Sequence, residues 1–425
     1  MSMRSASMSP DDVVTRLGMQ MKWKTWWNFR IDFGGSVLFA LFNVVVNQFY
    51  VPMAIRHGAS NLEVGLLTAA PAIGMLWSPM WAHLMRGRST KPFVLWPLVV
   101  GRLSVLLAGA LLTPTAFLVT AFIVNFMNGI QAPAYPALLA RMYPPALRGR
   151  LMGYVRVAQG TLLIPLAYVV GEWSQHQGDR WPLIGAAIMG TLSVILFSRA
   201  REVETPGPEA TSAQPSRRIE QIFGHWQVAR ASRPLTIFLM ATMATGFGNL
   251  LAGPIYQIYQ VHTLNLSNAQ IGVTRVSYYA ALLVAYFVVG WIIDTWSPRH
   301  AMFIGMSAYA LAPALYVLSG SFAAVIAACA LLGVGDAVWD IGCMSYIFRA
   351  VPGREAEAFG LHFLLFGIRG AIAPLVSTAM THAMSLTDIF LIAIGICTLG
   401  IAIFAVPPTP RAPSPTVEAP EPGAS

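Results

Sequence analysis

An all-helical membrane protein, with twelve spans in two related six-helix bundles, is the fold class that the sequence predicts. Three observations carry the prediction. The 425 residues are 56% hydrophobic and only 11% charged, with a mean hydropathy of +0.60. One long polar interval, Arg199 to Arg233, interrupts the apolar runs. The runs after that interval repeat the runs before it. Soluble chains carry about 25% charged residues, and burial in a water-soluble globule cannot hide this much apolar surface, so the solvent is lipid. The 12 Trp and 36 Gly agree, because both types are favoured in membrane helices or at their ends.

A span needs about 20 mostly apolar residues. Reading the runs and their breakers places spans over 31–54, 62–84, 93–112, 115–139, 151–173 and 181–198 in the first half. The second half gives 235–260, 269–293, 300–319, 321–347, 356–382 and 387–406. The chain divides accordingly into a polar N-terminal segment (1–30), a first bundle (31–198), a central loop (199–233), a second bundle (234–406) and a tail (407–425). Lys22, Trp23, Lys24, Trp26, Trp27 and Arg30 read as an interfacial anchor rather than a cleaved leader, since no short apolar core with a small-residue cleavage site is present. The tail is rich in Pro, Ala and Glu and is expected to be disordered.

Lys and Arg set the orientation. With the N-terminus in the cytoplasm, the inside segments carry Arg4, Arg16, Lys22, Lys24, Arg30, Arg86, Arg88, Lys91, Arg141, Arg148, Arg150, the loop cations, Arg299, Arg349, Arg354 and Arg411. The outside loops then hold only Arg56 and Arg180. Both termini are therefore expected to be cytoplasmic, and the membrane the cytoplasmic (inner) one. The net charge of +9 follows from this bias. It implies no nucleic-acid partner, because the cations are spread over separate loops.

The repeat shows in matching helix starts. Ser60-Asn61-Leu62-Glu63-Val64-Gly65 opens span 2, and Ser267-Asn268-Ala269-Gln270-Ile271-Gly272 opens span 8, 207 residues later. Gly153 and Gly360 share that offset near the starts of spans 5 and 11. In each opening the serine is a plausible cap, with Glu63 or Gln270 three residues on at capping-box spacing. Six spans on each side with these signals in register indicate duplication.

After span 8 comes Gly290-Trp291-Ile292-Ile293-Asp294-Thr295-Trp296-Ser297-Pro298-Arg299. Here the chain resembles the major facilitator superfamily, whose signature G-x-x-x-D-R-x-G-R-R/K follows spans 2 and 8. Gly290, Asp294 and Arg299 match it; the Arg and Gly between them do not. The first-half copy, Ala82-His83-Leu84-Met85-Arg86-Gly87-Arg88, keeps the basic loop and lacks the acid. A glycine permits close helix approach, and an Asp at a helix end can pair with a nearby Arg and an adjacent helix dipole. The three residues are thus candidates for a cytoplasmic gate, with an ordinary helix-end acid as the plainer alternative. Arg148-Gly149-Arg150-Leu151-Met152-Gly153, entering span 5, is also similar to the family. The Gly-Pro-rich motif of family antiporters is poorly met: Gly160, Pro165 and Gly171 lack the adjacent pairs.

The resemblance implies a cavity lined by spans 1, 4, 7 and 10. Carried onto this chain, its polar and aromatic candidates are Asn47, Gln48, Asn125, Asn128, Gln131, Asn249, Tyr256, Gln257, Asp336, Trp339 and Asp340. Amides at lipid depth also bond neighbouring helices, so packing is the alternative for each. Ionisable groups at mid-span are costly in lipid and therefore functional candidates: Arg102, Arg156, Arg275, Asp336, Asp340 and Arg369, with Asp32 near the inner end of span 1. Asp336 and Asp340 are four apart, hence on one helix face. Two carboxylates that close in low dielectric cannot both ionise cheaply and would titrate as a unit, which suits proton coupling. A buried ion pair with Arg369 that only fixes packing is the alternative. Arg102 either meets an acid from another helix or faces the cavity and holds an anionic group of the solute.

Cys329, Cys343 and Cys397 lie in apolar runs without metal-ligand spacing, and no disulfide is expected. His57, His83, His262, His362 and His382 show no metal spacing either. No G-x-x-x-x-G-K-[ST] loop and no nucleophile elbow occurs. The expected function is therefore secondary transport of a small solute by alternating access, coupled to protons, by a monomer needing no cofactor or metal, and no enzyme. A non-transporting sensor or assembly partner on the same fold is the alternative.

Overall fold

The computed structural model describes residues 9, 12–85, 88–201, 229–352 and 354–407. Most of the central polar loop (202–228), the tail after 407 and Arg86 and Gly87 of the first basic loop lie outside the described residues.

Among the described residues, twelve transmembrane elements run in order. They are α1 (Trp23–Arg56), α2 (Asn61–Leu76), α3 (Thr90–Leu111), α4 (Pro114–Met142), α5 (Pro145–Gln177), α6 (Arg180–Phe197), α7 (Arg233–Thr263), α8 (Asn268–Thr295), α9 (Pro298–Leu318), α10 (Phe322–Ala350), α11 (Glu355–Met380) and α12 (Leu386–Ala405). All but α2 are single helices long and apolar enough to cross a bilayer. The expected second span is broken at Trp77 and resumes as Ser78–Leu84. Pro79 explains the break, since it has no N–H to continue the ladder. Helices α1 and α7 each contain a π-helical turn, Val45–Phe49 and Tyr259–Thr263. Asn47 and Gln48 sit in the first of these wider turns, which shifts the phase of the amides.

The N-terminal segment differs from the polar lead-in that the sequence suggests. Val13–Arg16 and Met19–Lys22 pair as an antiparallel hairpin, with Val13 opposite Lys22. Leu17 and Gly18 turn it with φ of 54° and 69°, the left-handed pair that two-residue hairpin turns need. Helix α1 then starts at Trp23, eight residues before the expected span at 31. Asn28 fixes this end: its amide donates to the carbonyls of Met142 (3.1 Å) and Arg201 (2.6 Å) and accepts from the Arg201 N–H (2.8 Å).

Both capping boxes read from the repeat are formed, Ser60 with Glu63 and Ser267 with Gln270. The packing repeats as well. Helix α1 packs on α5 and α6, α3 on α4 and α6, and α2 on α4; α7 packs on α11 and α12, α9 on α10 and α12, and α8 on α10. Two antiparallel pairs, α5 with α8 and α2 with α11, join the halves. Their contacts are equivalent under the 207-residue offset. Gly272 meets the backbone of Ala167 and Gly171, and Gly65 meets Pro374 and Thr378. Asn268 Nδ2 donates to Ser174 Oγ (2.8 Å), and Asn61 Nδ2 donates to Thr381 Oγ1 (2.9 Å).

These contacts lie at the end remote from the N-terminus. There the apolar core is continuous across both halves, from Phe49, Met53 and Val170 to Ile255, Ile271 and Phe390. Toward the N-terminal end it splits into one cluster wholly in the first half, around Leu138 and Tyr143, and one wholly in the second, around Phe238 and Met302. The molecule is thus sealed at one end and parted at the other.

Candidate functional site

A cavity of about 260 Å³ opens within the first half. Helices α1, α3, α4, α5 and α6 supply its lining, and its polar groups include Asp32, Asn47, Arg102, Asn128, Gln131, Tyr135, Arg156 and Gln159. Four of the sequence-selected residues, Asn47, Arg102, Asn128 and Gln131, therefore share one space. Asp32, Tyr135, Arg156 and Gln159 join them without having been assigned there. Asp32 and Arg156 had a visible signal, as ionisable groups within spans; Tyr135 and Gln159 had none that distinguishes them from packing residues.

The charged groups of this cavity are held in different ways. Asp32 is buried and accepts a hydrogen bond from the Tyr143 hydroxyl at 2.8 Å. Among the described residues, Arg102 meets no acid. Its Nη1 donates to the Gly190 carbonyl at 2.7 Å and to the Ser193 hydroxyl, and its guanidinium lies 4.5 Å from the Phe39 ring centre. A carbonyl dipole and an aromatic face replace the counter-ion. Arg156 differs from both: its side chain is exposed on the cavity wall, and among the described residues no hydrogen bond holds it.

The second-half candidates, and Gln48 of α1, do not line this cavity. Gln257 accepts a hydrogen bond from buried Arg275 at 2.7 Å, so it serves a neighbouring helix. Tyr256 is buried in an aromatic cluster with Tyr316 and Phe390, at centroid distances of 4.9 and 5.3 Å. Asn249 is half-buried on α7, and Gln48 lies beside the Tyr279 hydroxyl of α8. Trp339 forms the platform beneath the Arg369 guanidinium, 4.8 Å from its ring centre.

Asp336 and Asp340 project from one face of α10, as their spacing implies, but neither pairs with Arg369. Asp336 accepts hydrogen bonds from Tyr278 (2.5 Å) and Tyr309, and Asp340 accepts one from Tyr286. Arg369, 1% exposed, instead donates to the Thr242 carbonyl and packs against Gly246, Trp339 and Phe366. The ion-pair alternative is corrected on this geometry. The phase of α11 turns Arg369 toward α7, and tyrosines of α8 and α9 occupy the carboxylates. These three tyrosines are the second-half residues that sequence reasoning missed; Tyr278 and Tyr286 lie two turns apart on one face of α8, a spacing visible in the chain.

Gly290, Asp294 and Arg299 are not assembled here. A Cβ at Gly290 would meet nothing within 4 Å, so no helix approaches it. Asp294 is exposed and, among the described residues, makes no ion pair. Arg299 caps the end of α12 through the carbonyls of Phe404 (2.9 Å), Ala405 (3.3 Å) and Val406 (3.2 Å).

A bilayer-spanning bundle of two like halves, joined at one end and parted at the other beside a polar cavity, is the architecture of a membrane transporter. The chain belongs to the major facilitator superfamily, whose family model matches residues 33–251 and 238–425. No curated protein matches the sequence. Among solved structures, the fold is similar to a mutant of the nucleoside transporter NupG, with a TM-score of 0.72 at 14% identity over 89% of this chain and 98% of that one. It is also similar to a bacterial homologue of the human lysosomal transporter Spinster in an inward-facing, unoccupied conformation (TM-score 0.65, 11% identity, 90% and 95% covered). A D-xylose–proton symporter gives 0.64 at 13% identity, with 90% and 97% covered.

Proposed function

We propose that the protein is a secondary transporter that moves a small polar solute by alternating access of its two halves, with protons as the coupling ion. The observation that carries this reading is the cavity at lipid depth. Amides, an acid and two arginines are costly there unless water or a solute meets them. The sealed and parted ends fit one state of an alternating cycle. The parted end is the cytoplasmic one under the Lys/Arg bias, with both termini on that side of the inner membrane and 31–198 and 234–406 as the moving bodies of a monomer.

In this reading Asn47, Arg102, Asn128 and Gln131 contact the solute. Gln48, Asn249, Tyr256, Gln257 and Trp339 support the helices that close over it. Asp336 and Asp340 carry the proton, with the tyrosine hydroxyls as its hydrogen-bonded surroundings. Gly290, Asp294 and Arg299 assemble as a gate only when the parted end closes, which fits their separation here.

Reconstitution tests the reading. Purified protein in liposomes with an imposed proton gradient is offered a panel of labelled polar solutes that includes nucleosides and pentoses, the solutes named for two structural neighbours. Accumulation of a solute is expected, with steep pH dependence. Asp336→Asn is expected to abolish accumulation while retaining counterflow exchange. Wild-type accumulation by that variant overturns the proton role, and a protein that moves nothing on a broad panel is the sensor or assembly partner instead.

A further inference from the structure

Arg156 occupies a place that its own half does not explain. It stands on α5 four residues before Gly160, on the side toward the parted end. Gly160 faces the Leu283 side chain of α8, and Gly171 faces Gly272 about three turns further along both helices. This antiparallel register is constant along the pair, and it places Arg156 level with Tyr286 and Phe287 of α8. The Tyr286 hydroxyl donates to Asp340. Arg156 and Asp340 are both exposed in the parted region, one from each half, and the guanidinium has no hydrogen bond among the described residues. Asp32 lies in the same cavity as Arg156, but its carboxylate is already served by Tyr143.

We propose that Arg156 is the charge that joins the halves when the parted end closes, leaving the neighbourhood of Asp32 to pair with Asp340 across the cleft. The residue is a positioning one. It biases the closed state and does not have to touch the solute. A guanidinium suits the task because it forms a forked, two-bond pair with a carboxylate, and Asp340 has one donor from Tyr286 and capacity for more. The inference rests on the alternating-access reading above and adds a residue that neither the sequence motif nor the Asp336–Asp340 pair supplies.

The test needs no solute. The full chain, in lipid nanodiscs, carries spin labels at cysteines replacing Gly149 and Trp291, one in each half near the parted end. Distance distributions are recorded for the parent, Arg156→Gln, Arg156→Lys, Asp340→Asn and the exchanged pair Arg156→Asp with Asp340→Arg. The parent is expected to populate a short and a long distance. Arg156→Gln and Asp340→Asn should each lower the short-distance population about fivefold or more. Arg156→Lys should retain most of it, and the exchanged pair should restore it. Thermal unfolding of each variant confirms a folded protein, and Arg156 is suited to substitution because no buried contact is lost. A parent that switches while Arg156→Gln keeps the parent distribution, or an exchanged pair that behaves like the singles, overturns the role of Arg156 alone. A single unchanging distance in every sample, parent included, overturns alternating access itself.

Discussion

Asn268 and Ser174 meet at 2.8 Å across the boundary between the halves, and their counterparts 207 residues away in register, Asn61 and Thr381, meet at 2.9 Å. One duplicated asparagine thus closes both seams. The two clamps are unequal, however. Asn268 also reaches Asp179 (3.3 Å), which the Ser174 hydroxyl serves and His57 approaches to 3.1 Å. Asn61 has no acid beside it in the corresponding place, where Leu386 stands in register with Asp179.

Removing the clamps should therefore open the sealed end to different extents. Asn61→Ala deletes one hydrogen bond, worth about 1 kcal/mol, or about fivefold in the open population. Asn268→Ala leaves buried Asp179 and Ser174 short of a donor and should cost about 2 kcal/mol or more. The measurement is the labelling rate, from the sealed side, of a cysteine replacing Asn47 by an impermeant maleimide. Equal rates for both variants would contradict the asymmetry.

Glycines at the seam and in the motif should behave oppositely. A Cβ on Gly272 would lie 2.9 Å from the Ala167 carbonyl oxygen and 3.2 Å from the Gly171 Cα, and backbone cannot yield cheaply. Gly272→Ala should lower stability by about 1–3 kcal/mol, read as a drop in melting temperature. Gly290→Ala meets open space and should leave the melting temperature unchanged or raise it, since alanine favours a helix by about 0.5–1 kcal/mol. If the gate closes on Gly290, the same variant slows transport while remaining stable.

Gly246 is the floor on which Arg369 lies. A Cβ there would collide with the guanidinium, whose bond to Thr242 and stacking on Trp339 depend on that place. Gly246→Ala is expected to cost about 1–3 kcal/mol by overpacking. In combination with Arg369→Met the two costs should be less than additive, because the second change removes what the first displaces. Full additivity in thermal unfolding would refute the contact.

The tyrosines on the carboxylates give a graded series. Tyr309→Phe removes a donor from Asp336 at a buried position and should cost about 1.5–3 kcal/mol, as for a hydrogen bond to a charged group. Tyr286→Phe should cost less, because Asp340 is exposed and water can replace the hydroxyl. Chemical or thermal unfolding of the two variants decides the order.

Much of the architecture was legible in the chain because lipid imposes length. All twelve spans and both capping boxes could be placed from apolar runs and the Ser-Asn starts. The break at Trp77 was concealed inside one such run, although Pro79 marks it. Side-chain direction was harder to read. In a membrane helix the face toward lipid and the face toward other helices are both apolar, so periodicity says little about rotation. Hence the sequence puts Tyr256 and Gln257 on a cavity they do not line, and turns toward Asp336 an Arg369 that faces α7. The four amide and arginine positions that do converge lie on α1, α3 and α4, and only on α4 do the candidate amides recur on successive turns, at Asn125, Asn128 and Gln131. Long-range partners such as Tyr278, Tyr309 and Arg156 depend on how α5, α8, α9 and α10 are set against one another, which no local pattern records.

The glycine contacts at Gly171 and Gly65 also set how motion is amplified in the proposed cycle. They make two fulcrums in matching register, near one end of the long helices α5 and α11. From Gly171 back to Pro145, α5 extends on the order of 40 Å at ~1.5 Å per residue. A tilt of about ten degrees about that pivot sweeps the far tip through roughly 7 Å, enough to admit or exclude a small solute. In the alternating-access cycle proposed above, leverage of this kind turns a sub-ångström repacking at these contacts into a change in which side of the membrane the cavity faces.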